Sequence, residues 1–159
     1  MAQVKKSLAL ILTLVLSAWT VQAWAFTAMV EHVHDGDTVT VDATRIRLYG
    51  IDAPELAQAG GKASRDYLTS LVEGQRVEVI PKDTDSYGRT VAVLRLPDGR
   101  DVNALMVAAG HAWVYTQYCR NCYALSLSQT VARFKGLGLW SQKRPVPPWV
   151  WRKKHRRTR

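Results

Sequence analysis

The chain has 159 residues and a formal charge of +9, with no internal repeat and no low-complexity linker, which bounds it to one domain with a single real core. Lys5 and Lys6 precede an almost wholly apolar run from Ser7 to Ala18, and Ala23-Trp24-Ala25 offers small residues where a signal peptidase reads. Residues 1–25 are therefore expected to be a signal peptide; an uncleaved membrane anchor is the lesser reading, because the apolar run is short for a span and Thr20 and Gln22 interrupt its far end.

Without Lys5 and Lys6 the charge falls from +9 to +7, and six of the remaining basic residues lie in the last eight: Arg152, Lys153, Lys154, Arg156, Arg157 and Arg159. The part expected to fold, residues 26–151, is close to neutral. Residues 152–159 read as a basic tail, an electrostatic handle for a polyanion such as nucleic acid or an anionic membrane surface.

Phe26 to Val33 and Thr38 to Val41 are β-rich runs separated by the turn composition Asp35-Gly36-Asp37. Arg45 to Ile51 alternates, with Ile46 and Leu48 on one face and Arg45, Arg47 and Tyr49 on the other, so Arg47 points away from the core. Pro54 ends that strand. Gly61 to Val72 reads as a helix with Ala63, Tyr67, Leu68, Leu71 and Val72 on its apolar face and Gly74 beyond its end. Arg76 to Ile80 and Thr90 to Leu96 are further strands, and Pro97-Asp98-Gly99-Arg100 is a tight turn. Val102 to Ala109 forms a second helix, Ala112 to Tyr115 a short strand, and Tyr123 to Lys135 a third helix. Strands first with about three interspersed helices predict a small five-stranded barrel of the OB type, an α+β architecture whose open face binds nucleic acids or sugars.

Cys119 and Cys122 are the only cysteines. In a chain expected to leave the cytoplasm, their Cys-x-x-Cys spacing reads first as a local disulfide. A redox-active pair is the alternative, disfavoured because no βαβ context surrounds it; a zinc site lacks a second cysteine pair. His32, His34, His111 and His155 are too scattered to form a metal set, and Trp140, Trp149 and Trp151 are expected to pack the carboxy-terminal segment onto the barrel.

Asp35-Gly36-Asp37-Thr38, Arg47-Leu48 with Ile51-Asp52-Ala53-Pro54-Glu55, and Tyr87-Gly88-Arg89 bring carboxylates and arginines together. Carboxylates hold a hard cation and activate water, and arginines grip phosphate. With Val102-Asn103, Gly136-Leu137, Leu139-Trp140, Pro147-Pro148-Trp149 and Trp151-Arg152 in support, the chain resembles the staphylococcal nuclease-like (thermonuclease) family from about Thr27 to Arg152.

The resemblance implies a calcium-dependent phosphodiesterase acting on DNA and RNA. Asp37, Asp52 and the carbonyl of Ala53 match the calcium ligands, Glu55 the general base, and Arg47 and Arg89 the phosphate-holding pair. Asp35 reads mainly as a turn residue. Tyr87 matches a substrate contact, and Tyr118 or Tyr115 a second. A periplasmic or secreted monomer is expected, with membrane contact only if the signal segment stays uncleaved. A non-catalytic OB-type binding module is the alternative, against which all five charged positions are retained. A thiol–disulfide enzyme on Cys119 and Cys122 is the third reading.

Overall fold

The computed structural model describes residues 24–119 and 121–156. Five strands close into a barrel in the order β1 (Phe26–Val33), β2 (Thr38–Val41), β3 (Thr44–Leu48), β6 (Thr90–Arg95) and β5 (Arg76–Thr84). All neighbouring pairs are antiparallel except β3 and β6. One parallel pair in a closed five-stranded barrel requires a crossover, here through β4 (Ile51–Asp52), helix α1 (Gly61–Val72) and β5, and the result is the OB-type barrel expected. β4 leaves the barrel to pair with β7 (Trp113–Val114) in a second, two-stranded sheet. Helices α2 (Val102–Ala108), α3 (Tyr123–Phe134) and α4 (Pro148–Arg156) and a 3₁₀ turn (Gly138–Ser141) complete the described residues.

The core follows from strand alternation. Val39 and Val41 on β2, Ile46 and Leu48 on β3, Val77 and Val79 on β5, and Ala92 and Leu94 on β6 all point inward and are buried. On β1 the phase changes. Ala28 and Val30 are buried, then Val33, because the ladder shifts register between Val30 and His32 and an extra residue bulges outward. Leu68 and Val72 of α1 pack into the same cluster as Val102, Met106 and Val107 of α2. The Asp101 side chain caps α2 by accepting the Ala104 N–H at 2.9 Å.

Four details differ from the sequence reading. The run Arg45 to Ile51 is two strands, broken at Gly50, whose φ of 76° turns β4 away from the barrel. β5 continues to Thr84 through Pro81, where a shift in the ladder removes the need for a proline N–H. On α1 Ala63 is exposed and Ser64 is buried instead, its hydroxyl donating to the His111 carbonyl. A fourth helix runs from Pro148 into the segment read as a tail; proline at its first position already has the φ a helix needs. The expected signal peptide falls almost entirely on residues 1–23, and Arg157 and Arg159 on 157–159, outside the described residues.

Candidate active site

The β1–β2 turn carries the first acid. Asp35 accepts the Asp37 N–H at 3.0 Å, an Asx-type turn, and Gly36 lies so close to Ser64 and Ala53 that a Cβ there would overlap both. The turn is thus pressed against α1 and the end of β4. Asp37 is buried: one carboxylate oxygen accepts from the Thr38 hydroxyl at 3.0 Å and Arg47 Nη1 at 2.6 Å, the other from the Ala53 N–H at 2.8 Å.

Gly50 redirects the chain so that Asp52 meets Asp37. Arg47, on the outward face of β3, reaches Asp52 with Nη2 at 2.9 Å while Nη1 holds Asp37, so two buried carboxylates converge on one guanidinium. Arg152 of α4 takes the other side of Asp52 with a two-pronged contact at 3.1 and 2.8 Å, and its Nη1 also donates to Glu55 at 2.9 Å. The charges alternate through space: Asp37, Arg47, Asp52, Arg152, Glu55. In the sequence Arg152 stands among the tail residues; the Trp151-Arg152 motif is the available signal, but no local pattern ties it to residues a hundred positions earlier.

Burial dominates the ionisation of the cluster. It pushes Asp35 up to about 6, with the charge of Asp37 adding to the effect. It also raises Asp52, in spite of hydrogen bonds from Arg152. Burial acts to lower Arg47 and Arg152 as well, yet the surrounding carboxylates more than reverse it, so both guanidiniums stay charged.

Arg89 stands apart from this cluster. Its Nε donates to Asp85 at 2.7 Å, and its guanidinium lies 5.6 Å from the Tyr87 ring. Asp85 also accepts the backbone N–H groups of Tyr87 and Arg89, which shapes the β5–β6 turn. Tyr87 is 84% exposed, leaving its face open for stacking. The β1–β2 and β5–β6 turns are the two loops through which OB barrels commonly bind ligands.

Tyr115 and Tyr118 stand side by side, ring centres 5.0 Å apart. Tyr115 stacks on Trp149 at 5.3 Å and its phenol is pushed up by burial and then by the Asp52 charge, which places it beside the acids; Tyr118 is more exposed. Cys119 and Cys122 form a disulfide that lies against Gly50, where a Cβ would stand 3.1 Å from one sulfur and 3.2 Å from the other. The cross-link therefore backs the turn that delivers Asp52.

The donor set suits a hard cation. Among the described residues no group of three or more His, Cys, Asp or Glu side chains is placed to hold a metal. Two carboxylates and a carbonyl, as at Asp37, Asp52 and Ala53, fall below that number while still offering only hard oxygens. Asp35, Asp37, Asp52 and Glu55 face Arg47 and Arg152, so four carboxylates meet two guanidiniums and leave a deficit that a divalent ion would fill. The oxygens are of the kind calcium takes, with Arg47 and Arg152 now holding the two carboxylates that would have to turn to it.

Residues 45–142 match the family model described as staphylococcal nuclease homologue, a span that contains Arg47, Asp52, Ala53, Glu55 and Arg89 but neither Asp37 nor Arg152. An Escherichia coli protein named an uncharacterized endonuclease is 45% identical over 145 residues, covering 89% of this chain and 94% of the relative. A micrococcal nuclease of Shigella flexneri is 40% identical, covering 84% of this chain and 85% of its own. The staphylococcal-like nuclease CAN1 of Arabidopsis thaliana is 39% identical over 70% of this chain and 34% of its own length.

Proposed function

Because the chain belongs to the staphylococcal nuclease family, and is an endonuclease that hydrolyses phosphodiester bonds, we propose that it works with calcium, on both DNA and RNA, outside the cytoplasm. The observation that carries this reading is the convergence of buried Asp37 and Asp52 on Arg47, with Glu55 joined to Asp52 through Arg152. Asp37, Asp52 and the Ala53 carbonyl would hold a calcium ion, which would supply positive charge to the phosphate under attack.

The protein's own groups do the rest. Glu55 is partly exposed, with its side chain 37% accessible, so it is open to water and takes the proton from the attacking molecule. Arg47 and Arg89 would turn planar forks to the phosphate as it displaces their carboxylate partners, and charge gathering on its oxygens in the transition state would strengthen those contacts. Arg89 lies on the turn beside Tyr87, which stacks on a base of any identity and so demands little sequence preference. Lys153, Lys154 and Arg156 are exposed on α4 and add phosphate contacts along a longer strand. Apolar residues ahead of Ala25 support export to the periplasm or beyond, and a monomer suffices because every proposed group comes from one chain.

Digestion of plasmid and RNA with calcium, with magnesium and with chelator tests this directly. Activity is expected with calcium, poorly with magnesium, which demands stricter geometry, and not at all with chelator. Glu55→Gln keeps the shape and loses the proton acceptor, so turnover falls about 10²–10⁴-fold. Full activity in excess chelator, or near-normal turnover of folded Glu55→Gln, overturns the assignment.

A further inference from the structure

We propose that Arg152 is a positioning residue of the active centre, holding Glu55 and Asp52 together from the carboxy-terminal helix, so that the catalytic constellation is complete only when α4 is docked. The proposal rests on the reading of Glu55 as base and Asp52 as cation ligand. It gives a role to a residue that the family resemblance carries only as part of the supporting Trp151-Arg152 motif, with no function attached.

Geometry is the first support. A single guanidinium forks onto both oxygens of Asp52, at 3.1 and 2.8 Å, and reaches Glu55 at 2.9 Å. Asp52 is wholly buried and has a second holder in Arg47 at 2.9 Å. Glu55 is different: it lies past Pro54 on a loop, with 37% of its side chain accessible, and among the described residues Arg152 is the cation it pairs with. Removing the guanidinium leaves Asp52 in place and sets Glu55 free to sample rotamers turned away from the attacking water.

The second support is how firmly α4 is seated. Pro148 is buried, Trp149 stacks on Tyr115 and meets Trp113 edge-on at 5.7 Å. Just ahead of the helix, the Val146 carbonyl accepts from the buried Gln58 side chain at 2.7 Å. Gln58 also belongs to the loop that carries Glu55, its side-chain oxygen facing the Glu55 N–H at 3.4 Å. The helix is tied to the same loop twice, once through backbone at Val146 and once through charge at Arg152.

The test uses the full chain with Arg152→Gln and Arg152→Lys, a short dinucleotide substrate, and calorimetric titration with Ca²⁺ alone. For Arg152→Gln, kcat is expected to fall about 10–100-fold while KM changes little, since a loosened base is a fault of orientation rather than of binding. Calcium affinity is expected to rise about two- to tenfold, because a positive charge is lost beside Asp52 while Arg47 still holds that carboxylate. Slower turnover with a tighter cation is a pairing that general loosening of the fold does not produce. Arg152→Lys keeps the charge, so it should leave calcium affinity near its starting value and recover part of kcat. In a Glu55→Gln background, Arg152→Gln should slow turnover no further.

Turnover within twofold of the starting protein, weaker calcium binding together with a lower melting temperature, or fully additive losses with Glu55→Gln would each overturn the proposal. A slow Glu55→Gln beside an unaffected Arg152→Gln refutes the role of Arg152 alone. A near-normal Glu55→Gln refutes the reading beneath it. Should Arg152→Gln fail to fold, Arg152→Lys decides through kcat, which is unchanged only if the two-pronged geometry is dispensable.

Discussion

Asn103→Ala should be among the most costly single substitutions in this protein. Asn103 is buried on α2, and its side-chain amide is spliced into the parallel pairing of β3 and β6 just where the strands part. The Tyr49 N–H still reaches the Ala92 carbonyl at 2.8 Å. Beyond that point Asn103 substitutes for strand: its Oδ1 accepts the Leu94 N–H at 3.2 Å, and its Nδ2 donates to the Tyr49 carbonyl at 2.9 Å and the Ala92 carbonyl at 3.3 Å. Alanine leaves the Ala92 carbonyl with its bond from Tyr49 but takes the side-chain partner from the Leu94 N–H and the Tyr49 carbonyl. At about 1–3 kcal/mol for each buried group left unpaired, the loss is about 2–6 kcal/mol. Against a total stability of about 5–15 kcal/mol for a domain, that is a large share. Guanidinium unfolding in chelator, followed by tryptophan fluorescence, should show a lower midpoint with an unchanged m value. Tyr49 immediately precedes the Gly50 turn that delivers Asp52, so calcium binding should weaken in the same variant. A stability loss under about 1 kcal/mol would refute the splice as the reason Asn103 is buried here.

Two smaller perturbations probe other parts of the fold. The β2–β3 turn holds Ala43 at φ 62°, a left-handed conformation that costs an L-residue with a Cβ roughly 1–2 kcal/mol, so Ala43→Gly should stabilise by about 0.5–1 kcal/mol after the extra chain entropy of glycine is counted; a lower melting temperature would contradict the turn assignment. His111 stacks on Tyr67 at 4.5 Å, and burial lowers its pKa below 6.5. The folded protein therefore binds its proton later than the unfolded chain does. The stability this lends is present above pH 6.5 and drains away as pH falls through the folded value. His111→Phe keeps the ring contact and should lose less stability between pH 6.5 and about 5 than the parent; equal slopes would refute the role of His111.

The barrel was legible because its causes are local. Alternation at Val39, Val41, Ile46 and Leu48 records which strand face meets the core, and turn residues such as Gly36 and Gly99 mark where the chain reverses. Asp37, Arg47, Asp52 and Glu55 were equally visible, since they lie within 19 residues of one another on two strands and their turns. The break at Gly50 was less so: Ile46, Leu48 and Ile51 are all buried, and apolar pattern alone does not reveal that Ile51 is paired in a different sheet.

Arg152 was visible in the sequence only as part of the Trp151-Arg152 motif, which says nothing of its partners. Among Lys153, Lys154 and Arg156 it has the composition of a solvated tail, and the seating of α4 by Pro148, Trp149 and Val146 turns that one guanidinium inward. Arg89, matched in sequence to the same phosphate as Arg47, is held by Asp85 on a separate turn. Residue type and spacing determined the barrel and most of the acids in this protein. Which arginine faces which carboxylate was decided by tertiary packing, because a charge's partner is set by distance through space, and sequence separation carries almost no information about distance once the chain has folded.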